Sequence, residues 1–275
     1  MLKTIFMGTP PLVLPALKSL HSNSNLSLII TGADKYVGRG KKRLVEPEPK
    51  KFAVEKNIDV FQVENINDDK LLKKLKLIKP DLIIVFAFGF ILPKRIFDIP
   101  KLGTVNIHTS LLPKYRGASP IHSALLNKDK ITGITFQKIN EKLDSGDILF
   151  TKEVEILNND DYLSLNEKLS TRSEIAMTKF LGLLENNELT SKAQINSEAT
   201  YCKKISKTDG EFYWNDKAED IIAKVKAYAM WPVAYINSKI GKLRIYKASI
   251  DTVENLDNSN TGQIIKADKN GFIVK

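Results

Sequence analysis

Three short apolar runs without alternating polar residues constrain the fold of this chain most strongly. They read "LKTIFMG", "LSLIITG" and "DLIIVFAFGF" and begin at residues 2, 26 and 81. Runs of this length and composition are typical of strands buried on both faces, as in a parallel sheet. Segments with helical spacing separate them, such as "DDKLLKKLKLIKP", which ends at Pro80. The pattern predicts a doubly wound, Rossmann-like α/β domain with a mostly parallel sheet.

The chain changes character after a long predicted helix, "SLNEKLSTRSEIAMTKFLGLLENNEL". A polar, turn-rich stretch follows, and then one helix and several short alternating strands. We therefore expect a first domain at residues 1–190, a linker at 191–207, and a small β-rich domain at 208–275. Short strands of this kind are typical of a small barrel, here of the OB-like type.

The composition favours an anionic partner and an intracellular location. Lys and Arg number 42 against 32 Asp and Glu, which gives a formal net charge of +10. The charge alone leaves nucleic acid, a nucleotide and a polyanionic cofactor open. Cys202 is the only cysteine, which excludes an internal disulfide or a cysteine-cluster metal site. The N-terminal apolar stretch is broken by Gly8 and Pro10, so we expect a cytoplasmic protein with no membrane partner.

Two polar residues near the end of a fourth predicted strand, "LGTVNIHTS", suggest chemistry. Because side chains alternate along a strand, Asn106 and His108 would share one face and Val105 and Ile107 the other. An amide can donate to a developing oxyanion, and an imidazole can move a proton near neutral pH. The pair alone fits a structural role at a strand end equally well.

A carboxylate that could orient the imidazole occurs in "KLDSGDIL". Asp144 is the candidate, and Asp147 is a rival three residues later. A carboxylate beside a histidine stabilises the charged form of the ring, but either residue could instead cap a turn. The spacing leaves the choice open.

Together, "NIHTSLLPKYRGASPIHSAL", "TGIT" and "LDSGDIL" resemble the folate-dependent formyltransferases. The resemblance implies that the catalytic residues are Asn106, His108 and Asp144. It also implies that 10-formyltetrahydrofolate is the formyl donor, with no metal required. The run "FAFGFILP" resembles the segment that walls the pterin pocket of the family. The folate-binding residues implied in this way are Ser110, Leu111, Leu112, Pro113, Phe88, Gly89, Ile91 and Leu92.

A basic segment upstream, "GADKYVGRGKKRLVEPEPKKFA", resembles the loop of the family branch that formylates initiator methionyl-tRNA. The resemblance implies tRNA contacts from Arg39, Lys41, Lys42 and Arg43, with Arg39 at the position of the functional arginine. Such residues add salt-sensitive affinity, because each neutralised phosphate releases counterions. Flanking glycines predict a mobile loop. Without the resemblance, a solvated basic loop would be the better interpretation.

Two departures from that branch bear on the prediction. Tyr36 stands where proline is usual, which would make the entry to the loop less rigid. Members of the branch also commonly continue beyond the equivalent of Lys275, so we expect the barrel to be incomplete at this end. The small domain, if incomplete, would contribute less to tRNA binding.

Three other functions fit these residues less well. A formyltransferase acting on an amino-sugar nucleotide would not need the basic loop at 34–51. A non-catalytic RNA-binding relative would have lost some of the three catalytic residues, yet all three are present. A nicotinamide-dependent oxidoreductase would carry a glycine-rich phosphate-binding motif, which this chain lacks because Gly8 stands alone. We expect a monomeric enzyme that formylates methionyl-tRNA.

Overall fold

The computed structural model describes residues 1–38, 40, 43–238, 241–251, 259–269 and 271–275. The strands in chain order are β1 (Lys3–Gly8), β2 (Asn25–Gly32), β3 (Lys35–Val37), β4 (Arg43–Val45), β5 (Val60–Val63), β6 (Leu82–Phe86), β7 (Thr104–His108), β8 (Arg116–Gly117), β9 (Ile131–Lys138), β10 (Ile148–Glu155), β11 (Tyr201–Cys202), β12 (Ala234–Ser238), β13 (Gly241–Ile245), β14 (Ile264–Asp268) and β15 (Gly271–Val274). The helices are α1 (Leu14–Asn23), α2 (Glu48–Glu55), α3 (Asp69–Ile78), α4 (Lys94–Phe97), α5 (Pro120–Leu126), α6 (Tyr162–Glu185) and α7 (Ala218–Ala227).

A sheet of seven strands, counted over the described residues, forms the centre of the larger unit. Its order is β10-β9-β7-β6-β1-β2-β5. The five strands from β7 to β5 run parallel, whereas β9 and β10 are antiparallel to their neighbours. This is the mostly parallel sheet that the apolar runs predict. The run that begins at residue 81 forms β6, which lies inside the sheet rather than at its edge.

The two faces of the sheet support separate hydrophobic cores. Phe6 and Ile84 belong to one core, in which α1, α5 and α6 pack, while their neighbours Ile5 and Ile83 belong to a second core under α3 and α4. Alternate residues of one strand therefore enter opposite cores. This explains why these strands show no polar alternation in the sequence.

The helices begin at capping residues that the sequence supplies. The side chain of Asp68 accepts a hydrogen bond from Lys70 N and begins α3. Asp161 and Ser164 cap α6 reciprocally, each side chain bonding the backbone N–H of the other. Reciprocal capping satisfies two backbone donors that a helix start would otherwise leave without partners. The 24-residue α6 then packs along α1.

The C-terminal unit is small and β-rich. Phe212, Val225, Ala234 and Ile236 form its own core. Among its described residues, β12 pairs with β13 and β14 with β15, each as an antiparallel hairpin. The helix α7 packs against α5 of the larger unit. These hairpins agree with the expected β-rich domain, while the OB-like barrel and the boundaries at 190 and 207 stay predictions.

Over the described ranges, no helix combines the length and the apolar character that crossing a membrane would take.

Candidate active site

The strand β7 places Asn106 and His108 on one face at its carboxyl end. Val105 and Ile107 enter the core beneath the opposite face. Asn106 lies opposite Gln137 of the antiparallel β9, and His108 lies opposite Thr135. Both predicted residues therefore lie at the edge where the parallel strands end, which is the usual ligand position in open α/β sheets.

The turn between β9 and β10 brings Asp144 to the same edge. Asp144 has a left-handed backbone, with φ 47°, a conformation that costs a non-glycine residue roughly 1 kcal/mol or more. A Cβ on Gly146 would lie 1.7 Å from the carbonyl oxygen of Lys138, so only glycine lets the turn close this tightly. Asp147 points elsewhere and accepts a hydrogen bond from Ser191 at 2.8 Å.

The carboxylate of Asp144 is surrounded by hydrogen-bond donors. Its Oδ1 accepts from Gln137 Nε2 at 2.9 Å and from Asn106 Nδ2 at 3.3 Å. Its Oδ2 accepts from the backbone N–H of Gly117 at 2.8 Å and lies 3.8 Å from Nδ1 of His108. Donors on both oxygens fix the direction of the carboxylate. The three predicted catalytic residues are thus brought together.

The ring of His108 lies between a carbonyl and that carboxylate. Its Nε2 is 2.8 Å from the carbonyl oxygen of Tyr115. A carbonyl can only accept, so Nε2 carries the hydrogen and Nδ1 faces Asp144. The side chains of His108 and Asp144 are only 7% and 12% exposed. A proton arriving at Nδ1 would create an imidazolium beside a shielded carboxylate, where attraction is stronger than in water.

The "SLLP" segment is held tightly behind this trio. Ser110 donates to the carbonyl of Lys114 at 2.6 Å, and Thr135 donates to the carbonyl of Ser110 at 2.7 Å. The side chains of Ser110 and Leu112 are buried, whereas Leu111 and Pro113 are half-buried. Any folate contact from this segment would therefore use backbone atoms or the two half-buried side chains.

The segment after β6 presents a mixture of anchored and exposed residues. Phe88 and Leu92 are buried, which fixes the segment to the core under α4. Between them, Gly89 has φ +84° with open space where a Cβ would lie, and Ile91 is 82% exposed. The segment thus offers free backbone and one apolar side chain to a ligand.

A cavity of about 810 Å³ lies beside the turn that carries Asp144. Such a volume suits a cosubstrate of folate size. Its lining residues are Lys94, Phe97, Asp98, Arg116, Ile139, Asn140, Glu141, Lys142, Leu143, Ser145, Asn196 and Tyr201. Asn106, His108 and Asp144 do not line it, and neither do the eight predicted folate-binding residues. The cavity is adjacent to the trio rather than centred on it.

Polar residues that the sequence did not single out complete the site. Gln137 bonds Asp144 directly, and Gln194 donates to the carbonyls of Asp144 and Gly146. Arg116 is only 3% exposed and donates to Gln194 and Asn196. The position of Gln137 opposite Asn106 could have been inferred from strand register. Gln194 lies in the polar stretch predicted to be a linker, which carries no periodicity.

Cys202 lies near this site without a reactive role. Its thiol donates to the same Tyr115 carbonyl that His108 uses, at 3.3 Å. Burial raises the pKa of the Cys202 thiol. A buried thiol with a raised pKa is a poor nucleophile, so packing explains this residue.

The described ends of the basic segment pair with each other, while the expected mobility of its centre stays a prediction. Its ends form the hairpin β3–β4, in which Val37 pairs with the exposed Arg43. Lys50 forms ion pairs with Asp34 at 2.6 Å and Glu46 at 2.7 Å. Arg39, Lys41 and Lys42, three of the four predicted tRNA-binding residues, lie outside the described residues.

Histidines away from the trio pack against rings. His21 meets Phe52 edge to face, and His122 stacks on Tyr162 with centroids 4.3 Å apart. Burial lowers the pKa of His122 to about 4. No group of three or more His, Cys, Asp or Glu side chains that could hold a metal ion occurs in the part of the chain that the structure describes.

Comparison with known proteins identifies the family. The model described as "Formyl transferase" matches residues 4–181, and "Formyl transferase, C-terminal domain" matches residues 204–275. The methionyl-tRNA formyltransferase of Sulfurihydrogenibium sp. is 40% identical over 278 residues, covering 100% of this chain and 88% of that protein.

Two solved structures share the fold. The methionyl-tRNA formyltransferase of Clostridium thermocellum is 21% identical with a TM-score of 0.62, and the match covers 91% of this chain and 94% of that one. The N-formyltransferase of Helicobacter canadensis, solved with folinic acid and dTDP-3-aminofucose, is 18% identical with a TM-score of 0.67, over 84% and 81% of the two chains. With both family models matched along nearly the whole length, this chain belongs to the formyl transferase family.

Proposed function

We propose that this enzyme transfers the formyl group of 10-formyltetrahydrofolate to the α-amine of the methionine on initiator tRNA. The observation that carries the proposal is the trio of Asn106, His108 and Asp144, assembled at one sheet edge in a chain 40% identical to a methionyl-tRNA formyltransferase over its full length. The amide, imidazole and carboxylate are the groups that formyl transfer to an amine needs.

The reaction forms one C–N bond and breaks another. The amine attacks the formyl carbon, and the carbonyl oxygen becomes an oxyanion in the tetrahedral intermediate. Asn106 would donate its second amide hydrogen to that oxygen. His108 would donate its Nε2–H, which turns to the oxyanion from the Tyr115 carbonyl that it bonds without substrate. Each well-placed donor contributes about 3–4 kcal/mol. As the bond to N10 of the folate breaks, one proton passes from the amine to N10. Asp144 would stabilise the charged His108 and assist this transfer.

Residues around the site and one related structure support 10-formyltetrahydrofolate as the formyl donor. The Helicobacter canadensis enzyme was solved with folinic acid, a formylated folate. The cavity beside Asp144 is large enough for a donor of this class. Lys142 on its wall would attract a carboxylate of the folate tail, whereas Lys94 is paired with Asp98 and Glu141. Gly89 and Ile91 offer the nearby backbone and apolar surface for a flat ring.

The positive charge of the chain and its similarity to the Sulfurihydrogenibium enzyme support methionyl-tRNA as the acceptor. The chain carries +10 overall, with a cluster of basic residues between β3 and α2. Such a segment would contact phosphates, with Arg39 and its neighbours Lys41, Lys42 and Arg43 the proposed residues. Formylation of methionyl-tRNA would make the protein part of translation initiation. It would act in the cytoplasm as a monomer.

An amino-sugar nucleotide is the second candidate acceptor. It is favoured by one observation, the fold shared with the Helicobacter canadensis enzyme that binds dTDP-3-aminofucose. The identity to that enzyme is 18%, against 40% to the Sulfurihydrogenibium protein, so methionyl-tRNA is the better supported acceptor.

A direct assay of acceptors tests the proposal. Purified protein and 10-formyltetrahydrofolate are mixed with methionyl initiator tRNA, methionyl elongator tRNA or an amino-sugar nucleotide, and the formylated product is measured by mass spectrometry. We expect transfer to the initiator tRNA at a kcat/KM at least about tenfold above the other two. Transfer to the sugar nucleotide alone would make the amino-sugar nucleotide the acceptor in place of methionyl-tRNA. No transfer to any acceptor would defeat the proposed function.

A further inference from the structure

The turn that carries Asp144 is held from outside by one residue of the stretch between α6 and the C-terminal unit. Gln194 Nε2 lies 2.9 Å from the carbonyl oxygen of Asp144 and 2.7 Å from that of Gly146. An amide nitrogen has two hydrogens, so both bonds can form at once. These carbonyls flank Ser145, and the side chain therefore grips the turn at two points around the residue that follows Asp144.

The orientation of Gln194 is itself fixed. Its Oε1 accepts from Arg116 Nε at 3.0 Å and from Arg116 Nη2 at 2.8 Å. Two N–H groups of one rigid guanidinium converge on this oxygen, so the amide cannot flip without facing donor against donor. Arg116 is almost fully buried, and no carboxylate among the described residues lies within ion-pair distance of it. Arg116 instead donates to neutral side chains, and its two hydrogen bonds to Gln194 fix the direction of that amide.

The backbone on both sides of Gln194 is anchored to the larger unit. Two residues earlier, Lys192 exchanges backbone hydrogen bonds with Ile148 at 2.8 and 2.9 Å. Further on, the pairing of β11 with β8 ties Tyr201 and Cys202 to Arg116 and Gly117. Gln194 consequently reaches the turn from a fixed platform rather than from a free linker.

From these contacts we infer that Gln194 is a positioning residue for formyl transfer. It holds the turn 144–146 so that the Asp144 carboxylate keeps facing Nδ1 of His108. The inference rests on the proposed function, because it assigns Gln194 a role in that same reaction. The left-handed backbone of Asp144 is a strained conformation, and the two hydrogen bonds from Gln194, which we call the clamp, oppose its relaxation.

Two substitutions separate the clamp from simple support of Arg116. Gln194→Ala removes both functions. Gln194→Glu keeps an acceptor for Arg116 but replaces the donating amide with an oxygen that the two carbonyls repel. Because a displacement of about 1 Å at reacting groups can cost 10²-fold, we expect both variants to lower kcat between about 10- and 100-fold. The KM values for the folate donor and the tRNA should stay within roughly threefold of wild type.

Ser191→Ala is the matched control. Ser191 belongs to the same stretch and also bonds the turn region, but through Asp147 rather than through Asp144. Its kcat should stay within about twofold of wild type. Thermal unfolding of each variant verifies that it is folded, and if Gln194→Ala fails to fold, the Gln194→Glu variant decides the matter.

The outcomes that overturn the inference are distinct. A Gln194→Glu variant with wild-type kcat would show that Gln194 only supports Arg116. An effect confined to KM would make Gln194 a binding residue. Equal losses in kcat for Ser191→Ala and Gln194→Ala would remove any special role of Gln194.

A measurement that needs no activity keeps this inference separate from the proposed function. Hydrogen–deuterium exchange of the segment 139–148 is compared between wild type and Gln194→Ala in the absence of substrates. We expect at least about tenfold faster exchange in the variant, and unchanged exchange would overturn the clamp. A wild-type protein that transfers no formyl group would defeat the proposed function alone and leave the exchange result to decide the clamp.

Discussion

At the scale of single residues, Asp144 is the group that the surrounding hydrogen bonds hold most firmly. Gln137, Asn106 and the backbone of Gly117 all donate to it. An asparagine at this position would turn its own NH₂ toward at least one of these donors, and it could not stabilise a charged His108. We expect Asp144→Asn to lower kcat by about 10²–10⁴-fold in steady-state formylation, with donor binding largely kept.

Asp147→Asn is the control for that substitution. It removes the same charge three residues away, from a carboxylate that bonds Ser191. Its kcat should remain within about twofold of wild type. Equal losses in the two variants would mean that the net charge of the turn matters rather than the contact with His108.

His122 supplies a pH effect that is independent of catalysis. Burial against Tyr162 lowers its pKa to about 4, whereas the unfolded chain has the ordinary value of about 6.5. Between these values the unfolded state binds a proton that the folded state excludes, so stability falls as the pH drops from 6.5 toward 4. Above pH 6.5 both states are neutral and the residue contributes no pH dependence.

Replacing His122 with phenylalanine should remove this contribution while keeping a ring against Tyr162. We expect wild type to lose on the order of 2 kcal/mol more than His122→Phe between pH 7 and pH 5. Urea unfolding at several pH values measures the difference in slope, because the carboxylates contribute equally to both proteins. Parallel curves for the two proteins would show that folding does not lower the pKa of His122.

The residues of the candidate site were predictable only in part. Asn106, His108 and Asp144 belong to recognisable motifs, and strand alternation correctly places the first two on one face. Asp147 could not be ruled out by spacing, because only the turn geometry decides which carboxylate faces His108. Gln194 was beyond prediction, since its partner Asp144 lies 50 residues away and Gln194 itself lies in a polar stretch without periodicity.

At the scale of elements, the two-residue strands β8 and β11 connect the site to the stretch after α6. They lie side by side so closely that a Cβ on Gly117 would be 2.1 Å from the carbonyl oxygen of Cys202. Gly117 also has φ +125°. Two residues make no recognisable pattern, so this pairing was not predicted, whereas the three apolar runs correctly predicted β1, β2 and β6.

Gly117→Ala should therefore separate β8 from β11. The added methyl group clashes with backbone that cannot rotate away, and the N–H that bonds Asp144 moves with it. We expect a loss of roughly 2–4 kcal/mol in the free energy of unfolding, measured with urea, together with a fall in kcat.

Gly182→Ala is the matched control in the long helix. A Cβ there meets nothing within 4 Å, and alanine favours the helix by up to about 1 kcal/mol over glycine. This variant should be as stable as wild type or slightly more so. Similar effects at both glycines would contradict the close approach of β8 and β11.

At the scale of the whole molecule, fold class followed from buried apolar runs, and the C-terminal unit followed from short alternating strands. The charge pattern predicted a basic segment, but not that its ends form the hairpin β3–β4 or that Lys50 is paired with acids. The ion pair of Lys50 with Asp34, 16 residues earlier, depends on the fold bringing the two residues together, which composition cannot indicate. The effective charge offered to a polyanion is consequently smaller than the residue count suggests.

The last prediction concerns how that remaining charge binds RNA. If Arg39, Lys41 and Lys42 contact phosphates, replacing all three with alanine should weaken methionyl-tRNA binding and flatten its dependence on salt. Each lost phosphate contact lowers the slope of log Kd against log salt by about one unit, so a change of roughly one to three units is expected. Replacing Lys70, Lys73 and Lys76 on α3 removes the same charge and should change the slope by less than about half a unit. Equal changes in the two triple variants would assign the salt dependence to net charge, and an unchanged slope in the first would exclude the segment from the tRNA interface.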